Sequence, residues 1–276
     1  WGKSGNNDIG NYASLAGISS GSYAFGQTPV STTYEGSFTD AALGWETTRQ
    51  TNVGIDLGFF NGRLNVIGNW YNSISTDILY KYPISSISGA TSTTTNMSGA
   101  KIRNRGFDVQ LDARLLTGKV NWNFSTNISV NRNKVVSMGG LDDIISTTER
   151  SVGSHITKEG KPIGSFYGYQ AVGIMSKADY ANALLDRDVY IKNGNKFPEG
   201  YQLKGPAVAS YALDNLSYGN AIWKDANGDG VITTDDKTII GDAYPDFTGG
   251  FSTSLSWNGL DFSASFAYSY GGEVIN

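Results

Sequence analysis

The chain has 276 residues, with 25 acidic and 21 basic side chains, a formal net charge of −4, one histidine and no cysteine. It has no run of about 18 to 20 apolar residues, which excludes a membrane-spanning helix, and its mild acidity without a basic stripe argues against nucleic-acid binding. With no cysteine and a single histidine, His155, the residues for a Cys/His zinc site, a thiol nucleophile and most serine triads are missing. Charged residues make up only 17% of the chain, against roughly 25% in an average soluble domain.

Residues 45–60 and 63–80 are predicted to be the first two long strands. In 51–59, Val53, Ile55, Leu57 and Phe59 alternate with smaller or polar residues, which is the period of a strand with one apolar face. Asn61-Gly62 suits the positive φ angles of a type I′ hairpin between the two strands. The second strand is less regular, because Ile67 and Tyr71 break its alternation.

Segments 100–116 and 120–137 predict a second hairpin, joined across Thr117-Gly118-Lys119. Its first strand has an apolar set at odd positions, Phe107, Val109, Leu111, Ala113 and Leu115, opposite the polar set Asp108, Gln110, Asp112 and Arg114. Its second strand has Trp122, Phe124, Thr126, Ile128 and Val130 opposite asparagine and serine. Each predicted strand therefore has one apolar and one polar face.

A third hairpin, 246–257 and 260–271 around Asn258-Gly259, follows a connection of over a hundred residues, about 139–245. Short and long connections thus alternate along the chain, as in an outer-membrane β-barrel with tight periplasmic turns and large extracellular loops. The polar face is mostly Ser, Asn, Asp and Gly, which suits a water-filled lumen, and aromatic residues lie near the short turns. The alternative is a large soluble β-sandwich.

Basic residues on the apolar face predict a further feature. Arg49, Arg105 and Arg132 each lie 12 or 13 residues from a short turn, which is roughly 30 Å up a tilted barrel and just beyond an apolar band of ~25 Å. Arg103 and Lys134 continue this face outward. We expect a basic collar that contacts anionic lipid head groups of the outer leaflet; the alternative is a set of ordinary interfacial or solvated side chains.

The segment DANGDGVITTDD, residues 225–236, matches the spacing of a Ca²⁺-binding loop. Asp225, Asn227 and Asp229 occupy positions 1, 3 and 5, Gly230 the sharp turn, Val231 the backbone-carbonyl position, Thr233 position 9 and Asp236 position 12. Asp236 stands where an EF-hand has a bidentate glutamate, so the loop is closer to the dockerin form, although no second copy exists. The sequence predicts a structural Ca²⁺ at these residues; the alternative is an Asx-rich turn stabilised by its own side chains.

Other candidate residues predict structure more than chemistry. Ser176 to Asp179 resembles a helix N-cap before an apolar stretch, which predicts one short helix in the long loop. His155 is expected to be a surface residue, and Asp142, Asp143 and Glu149 to lie in a solvated loop. Loop aromatics could stack on sugars, but packing within the loop is favoured; they are Tyr167, Tyr169, Tyr201, Tyr211, Tyr218 and Trp223.

Several segments together carry a family resemblance. They are WGKSGNNDIGNY (1–12), LGWETTRQTNVGIDLGFFNGRLNVIGNWYNSISTDIL (43–79), IRNRGFDVQLDARL (102–115), EGKPIGSFYGYQAVGI (159–174) and DANGDGVITTDDKTIIGDAYPDFTGGFS (225–252). In this order they resemble the SusC/RagA family of TonB-dependent outer-membrane transporters, whereas 85–98 and 181–221 match nothing in it.

The resemblance implies that residues 1–276 are all part of one all-β domain, a fragment of an antiparallel transmembrane β-barrel of about 22 strands with long extracellular loops. Because the chain begins at Trp1-Gly2-Lys3 without a methionine or signal segment, we expect the true N-terminus to be missing. The plug domain, the TonB box and the final strands are then expected outside this chain.

The same resemblance implies a function at the outer membrane of a Gram-negative cell. It implies active import of oligosaccharides or oligopeptides, coupled to the TonB complex through the missing N-terminal part and assisted by a SusD-like surface lipoprotein. Outer-membrane lipid or lipopolysaccharide is the other expected partner, and nothing in the residues requires catalysis. The alternatives are a passive outer-membrane channel or adhesin barrel, and a soluble Ca²⁺-stabilised carbohydrate-binding β-domain.

Overall fold

The computed structural model describes residues 2–6, 17–35, 38–40, 42–85, 87, 92–147, 154–208 and 217–274. Contacts divide the chain into two compact units, which are treated separately below. The first lies within 1–144, 157–163 and 244–273, and the second within 145–156, 164–243 and 274–276.

The described residues form sixteen strands and one α-helix. In chain order these are β1 Gly2–Asn6, β2 Ile18–Phe25, β3 Thr28–Glu35, β4 Phe38–Thr39, β5 Glu46–Phe59, β6 Leu64–Pro83, β7 Ser92–Leu116, β8 Val120–Met138, β9 Ile144–Thr147, β10 Ser154–Thr157, β11 Ser165–Gly168, β12 Ala171–Ile174, α1 Lys177–Lys192, β13 Ala221–Trp223, β14 Thr238–Gly241, β15 Phe247–Trp257 and β16 Leu260–Tyr270.

The first unit is built on one long sheet in the order β1-β5-β6-β7-β8-β15-β16, with β4 added parallel to β7 and all other neighbours antiparallel. The six predicted strands are thus confirmed, and β8 and β15 are neighbours although more than a hundred residues separate them in sequence. A separate hairpin pairs β2 with β3.

Two of the predicted tight turns have the expected backbone. Asn61 and Gly62 have φ of 52° and 77°, and the amide of Arg63 donates to the carbonyl of Phe60 at 3.2 Å. Phe60 also has a positive φ of 55°, and the last cross-strand pair is Phe59 with Leu64, so this turn lies within a four-residue connection, 60–63. Asn258 and Gly259 have φ of 49° and 82° between the paired residues at either side. Positive φ at both central residues is the type I′ geometry, which follows the right-handed twist of the strands.

A buried core in the first unit lies at the far end of the long strands. It consists of Met97, Ala100, Val135 and Met138. The segment EGKPIG, residues 159–164, forms hydrogen bonds with the free edge of β8 here. The amide of Val135 donates to the carbonyl of Lys161 at 2.9 Å, and the amide of Met138 donates to the carboxylate of Glu159 at 2.6 Å. This segment therefore supplies hydrogen-bond partners to β8 where β15 no longer pairs with it.

The second unit contains a four-stranded sheet in the order β14-β11-β10-β9 and a two-stranded ribbon of β12 and β13. The predicted helix is confirmed: α1 begins after Ser176, whose hydroxyl accepts from the amide of Asp179, while the Asp179 carboxylate accepts from the amide of Ser176. Hydrogen bonding of the Asp179 carboxylate to the Ser176 side chain, and then to the Ser176 amide, lowers the pKa of Asp179. Within the described ranges, no helix has the length and apolar character needed to cross a membrane.

Candidate functional site

One face of the long sheet, here called the outward face, carries the predicted apolar side chains in aligned rows. The register places Val53, Trp70, Phe107 and Val130 in one row across β5 to β8. The following rows toward the short turns are Ile55, Gly68, Val109, Ile128, Gly249 and Tyr268, then Leu57, Val66, Leu111, Thr126, Phe251 and Phe266, then Phe59, Leu64, Ala113, Phe124, Thr253 and Ala264. The predicted alternation therefore brings apolar residues from six strands onto one surface.

Among the residues that the structure describes, many apolar side chains of this outward face are exposed. Val53, Ile55 and Phe262 keep 62%, 57% and 60% of their surface exposed, whereas Val135 in the core keeps 1%. From Phe107 to Leu115 the apolar positions of β7 cover about 27 Å of strand, or about 21 Å of height at a tilt of about 40°. That height is close to the apolar band of an outer-membrane barrel.

The opposite face of the sheet is polar, and hydrogen bonds connect its side chains. The hydroxyl of Ser125 donates to Asp112 at 2.6 Å, and Gln110 donates to the other oxygen of Asp112 at 2.8 Å. Ser129 donates in the same way to Asp108. These contacts allow carboxylates on this face to be held without ion pairs, which suits a surface that meets water.

The predicted basic residues lie at the end of the apolar rows, but Arg49 lies in the outer row with Arg103 and Lys134 and not in the inner row with Arg105 and Arg132. Arg105 and Arg132 are direct cross-strand partners, as the counting predicts. Arg49 pairs with Ile74, which pairs with Arg103, so Arg49 lies one row further along the strands. The number of residues from each short turn does not reveal this difference, because the two hairpins end at different heights. The first residue of β6, Leu64, pairs with Ala113, and β7 continues for three more residues before its own turn.

The acidic loop 225–236 folds around hydrogen bonds to its own backbone. The two carboxylate oxygens of Asp225 accept from the amides of Gly228 and Gly230 at 2.6 and 2.7 Å. Asn227 accepts from the amide of Asp229 at 2.9 Å, and Asp229 accepts from the amide of Val231 at 2.8 Å. Within the described residues, no group of three or more His, Cys, Asp or Glu side chains is placed to hold a metal ion.

Asp236 closes this loop from the inside. Its side chain is 1% exposed and accepts from the amides of Ala226 at 2.8 Å and Thr233 at 2.7 Å. Burial alone would raise the pKa of Asp236, but these amide hydrogen bonds outweigh it and bring the pKa below its ordinary value. All six predicted ligand positions thus belong to one ordered loop, and their oxygens already accept hydrogen bonds at Asp225, Asn227, Asp229 and Asp236.

The loop is packed against the region around α1. An added Cβ at Gly230 would lie 3.0 Å from the ring of Phe197, so the glycine is needed for close approach as well as for its φ of 86°. Phe197 stacks on Tyr201 with ring centres 5.2 Å apart. Ile232, at 3% exposure, is buried, and its amide donates to the carbonyl of Val208 at 3.1 Å.

Sequence reasoning missed Asp186, which is the main anchor of α1. This buried carboxylate accepts from the amides of Lys204 and Gly205 at 2.9 and 2.8 Å and from the hydroxyl of Tyr201 at 2.8 Å. An aspartate within a helix gives no local signal for such a role, because its partners are fifteen to nineteen residues away.

The remaining predicted candidates are placed as follows. His155 on β10 contacts the ring of Phe166, and Asp143 pairs with Lys158 at 2.6 Å. Tyr169 packs on Trp223 with ring centres 5.8 Å apart, in agreement with a packing role. Glu149 and Tyr211 lie outside the described residues, as do residues 1 and 7–12 of the first motif and parts of 85–98 and 181–221.

Comparison with known proteins gives consistent matches, although no family model matches the chain. The chain is 31% identical to TonB-dependent receptor P3 of Formosa agariphila, over 100% of this chain and 25% of that protein. It is 26% identical to TonB-dependent receptor SusC of Bacteroides thetaiotaomicron, over 96% of this chain and 24% of that protein. The structure of the RagAB peptide importer in the open-open state matches with a TM-score of 0.71 and 26% identity, over 98% of this chain and 25% of that chain.

The chain belongs to the TonB-dependent receptors, and its long antiparallel sheet corresponds to part of the barrel of the matched structures. The predicted resemblance to the SusC/RagA family of TonB-dependent receptors is confirmed over the whole chain. The chain spans about a quarter of the length of the relatives it matches, and the sheet of the described residues does not close into a barrel. These relatives are receptors and transporters and not enzymes, which confirms the prediction that the chain has no catalytic role.

Proposed function

We propose that this chain forms part of the wall of an outer-membrane importer, with the outward face against lipid and the polar face toward the lumen. The observation that carries the proposal is the exposed apolar surface across six neighbouring strands. Six strands at about 4.8 Å spacing and about 27 Å of strand give a flat area of roughly 650 Å². The largest exposed apolar patch of a soluble monomer is only about 300–600 Å².

The polar face supports the same placement. A soluble sandwich hides its apolar face against a second sheet, yet here side chains such as Val53 and Phe262 remain more than half exposed. The opposite face satisfies Asp108 and Asp112 with serine hydroxyls, as expected where the surface meets water. A wall with lipid on one side and water on the other requires this division.

The proposed activity of the whole protein is energy-coupled uptake of oligopeptides or oligosaccharides. Similarity to receptors named TonB-dependent supports coupling to the TonB complex. Similarity to the RagAB peptide importer supports a nutrient too large for a passive pore. A SusD-like surface lipoprotein is the proposed partner at the extracellular loops, and the bacterial outer membrane is the proposed location.

Uptake by cells tests this activity. Cells lacking the gene, and the same cells carrying the full-length gene, are supplied with mixed oligopeptides or oligosaccharides of defined length, with and without a protonophore. We expect one substrate class to disappear from the medium only when the gene is present and the proton-motive force is intact. Uptake that persists with the protonophore indicates a passive channel, and unchanged uptake without the gene overturns the importer.

We also propose that the loop 225–236 binds Ca²⁺ and thereby stiffens the extracellular region around α1. The oxygen-rich positions and the glycine turn support this proposal. The backbone amides occupy only part of the lone pairs of Asp225, Asn227 and Asp229, so these oxygens keep acceptor capacity for a cation. Without a cation the loop is an Asx-stabilised turn in which Asp236 is buried and Gly230 packs closely on Phe197.

A further inference from the structure

Positive charge on the outward face is concentrated where the apolar rows end. The row next to Val53, Trp70, Phe107 and Val130 is Thr51, Asn72, Arg105 and Arg132, and the row after it is Arg49, Ile74, Arg103 and Lys134. We name the five cations Arg49, Arg103, Arg105, Arg132 and Lys134 the basic rows. The buried core around Val135 lies further along the strands on the opposite face, because Val135 and its partner Ile102 have the parity of the polar face, so on the outward face the apolar rows end at the basic rows.

The basic rows contain like charges at directly opposite positions. Arg105 pairs with Arg132, and Arg103 pairs with Lys134. Residues directly opposite on an antiparallel pair have Cα atoms about 4.5–5.5 Å apart, and like charges there are destabilising. Two such pairs in succession therefore indicate an anion that both cations of a pair can reach.

Acidic side chains of the described residues neutralise little of this positive charge. Arg132 pairs with Asp246 at 3.0 Å and donates to the carbonyl of Pro245 at 3.4 Å. Among the described residues, no ion pair joins Arg49, Arg103, Arg105 or Lys134 to an acidic side chain. One carboxylate against five cations leaves a clear excess of positive charge on this face.

The position of the basic rows on the sheet indicates which kind of anion would reach them. A group that meets these cations lies at the upper edge of the apolar band, where lipid head groups begin. Phosphate accepts hydrogen bonds from guanidinium groups in pairs, and arginine is favoured where such recognition is needed. A free anion offers these cations only its charge, whereas a lipid phosphate also brings acyl chains that can lie against Trp70 and Phe107 in the adjoining row.

We propose that the basic rows bind the phosphate groups of lipid head groups in the leaflet at the loop end of the sheet. This inference rests on the proposed placement of the sheet in a membrane. Arg103 with Lys134, and Arg105 with Arg132, each form a two-cation cleft for one phosphate. Arg49, two strands away from Arg103 in the same row, extends the site along the sheet.

The test compares two lipids that differ only in phosphate. Purified full-length receptor in neutral detergent is titrated with lipid A and with the same lipid A after dephosphorylation, and bound lipid is counted by native mass spectrometry. We expect the phosphorylated lipid to bind about fivefold more tightly or better. The variant Arg103→Gln/Arg105→Gln/Lys134→Gln is expected to lose this preference, whereas Lys119→Gln/Lys192→Gln/Lys196→Gln, exposed cations elsewhere, keeps it.

A measurement on the unmodified receptor covers the case in which the variant fails to fold. Added salt screens exposed charges, so the preference for the phosphorylated lipid should fall as the salt concentration rises. Equal binding of the two lipids by the unmodified receptor, or an unchanged preference in the folded variant, overturns the proposal. This measurement is independent of the uptake assay. Loss of the lipid site would therefore leave the proposed importer intact, and loss of the proposed uptake would leave the lipid site intact.

Discussion

The ring of Tyr71 on β6 lies over Gly106, its direct cross-strand partner on β7, and its hydroxyl donates to Asn131 on β8 at 3.1 Å. Tyr268 and Gly249 repeat the arrangement between β16 and β15, where the hydroxyl donates to the carbonyl of Asn127 at 3.1 Å. In both cases a tyrosine covers a residue without a side chain and links three strands. The Gly106 and Tyr71 pair lies on the polar face and the Gly249 and Tyr268 pair on the outward face.

The Gly106→Ala substitution should weaken the sheet, because an added Cβ would lie 2.6 Å from the Tyr71 hydroxyl and would overlap the carbonyl of Val130. Overpacking of this kind costs about 1–3 kcal/mol. Gly58→Ala is the matched control, since its Cβ would meet Asn65 at an ordinary 3.5 Å. Urea unfolding of the full-length receptor in detergent measures both; equal midpoints for the two variants would contradict the account.

A charge on the outward face should be far more costly than the same charge on the polar face. Leu111 points outward near the middle of the apolar rows, and Gln110 beside it points to the polar face. Arginine at the mid-plane of a lipid-facing wall costs about 2–4 kcal/mol. We expect Leu111→Arg to lower the unfolding free energy in lipid vesicles by that amount and Gln110→Arg to change it little. Similar losses for both would show that neither face meets lipid.

The strands and turns of the sheet could be predicted from sequence because each depends on local pattern. Alternation fixed the six long strands, and Asn61-Gly62 and Asn258-Gly259 fixed two turns. Cross-strand register could not be predicted from the sequence. The prediction therefore places Arg49 level with Arg105, whereas Arg49 lies one row further along the strands. The anchor at Asp186 was missed for the same reason, since its partners at 201–205 come together only in the folded unit.

Removing the Asp186 carboxylate should release α1 from the segment that follows it. Asp186→Ala removes the buried carboxylate that accepts from the amides of Lys204 and Gly205, and a hydrogen bond to a charged group contributes about 1.5–3 kcal/mol. Asp188→Ala, whose carboxylate is largely exposed, is the control. Hydrogen–deuterium exchange of peptides covering 177–205 should speed up only in the first variant; unchanged exchange there would show that Asp186 anchors nothing.

The acidic loop should loosen at low pH. The folded pKa of Asp236 is below its ordinary value, so the carboxylate stabilises the loop above about pH 3.9, and this contribution is lost as the pH falls through the folded pKa. Asp236→Asn should remove the acid sensitivity and loosen the loop at neutral pH, whereas Asp235→Asn, with an exposed carboxylate, should do neither. Exchange of 225–236, corrected for intrinsic rates, measures this; an identical pH profile for Asp236→Asn would refute it.

Calcium should slow exchange in the same loop if the proposed site exists. Calorimetric titration of the full-length receptor should detect one Ca²⁺ that is lost in Asp225→Asn/Asp229→Asn and kept in Asp235→Asn. Extracellular calcium modules bind with Kd of about 10⁻⁴–10⁻³ M, so the titration must reach millimolar calcium. Absence of binding in that range would leave the Asx-stabilised turn as the complete description of residues 225–236.

Neighbouring residues on one strand distinguish a lipid face from a water face, because successive side chains point to opposite faces of the sheet. The 276 residues contain no cysteine; single Ile55→Cys, Asp56→Cys, Val109→Cys and Gln110→Cys variants are made in a full-length receptor from which any cysteine elsewhere has been removed, and are labelled in native outer membranes. We expect a water-soluble thiol reagent to label positions 56 and 110, and a lipid-soluble nitroxide to quench a fluorophore at 55 and 109. Equal labelling of both sets by the water-soluble reagent would contradict the division of the sheet into a lipid face and a water face.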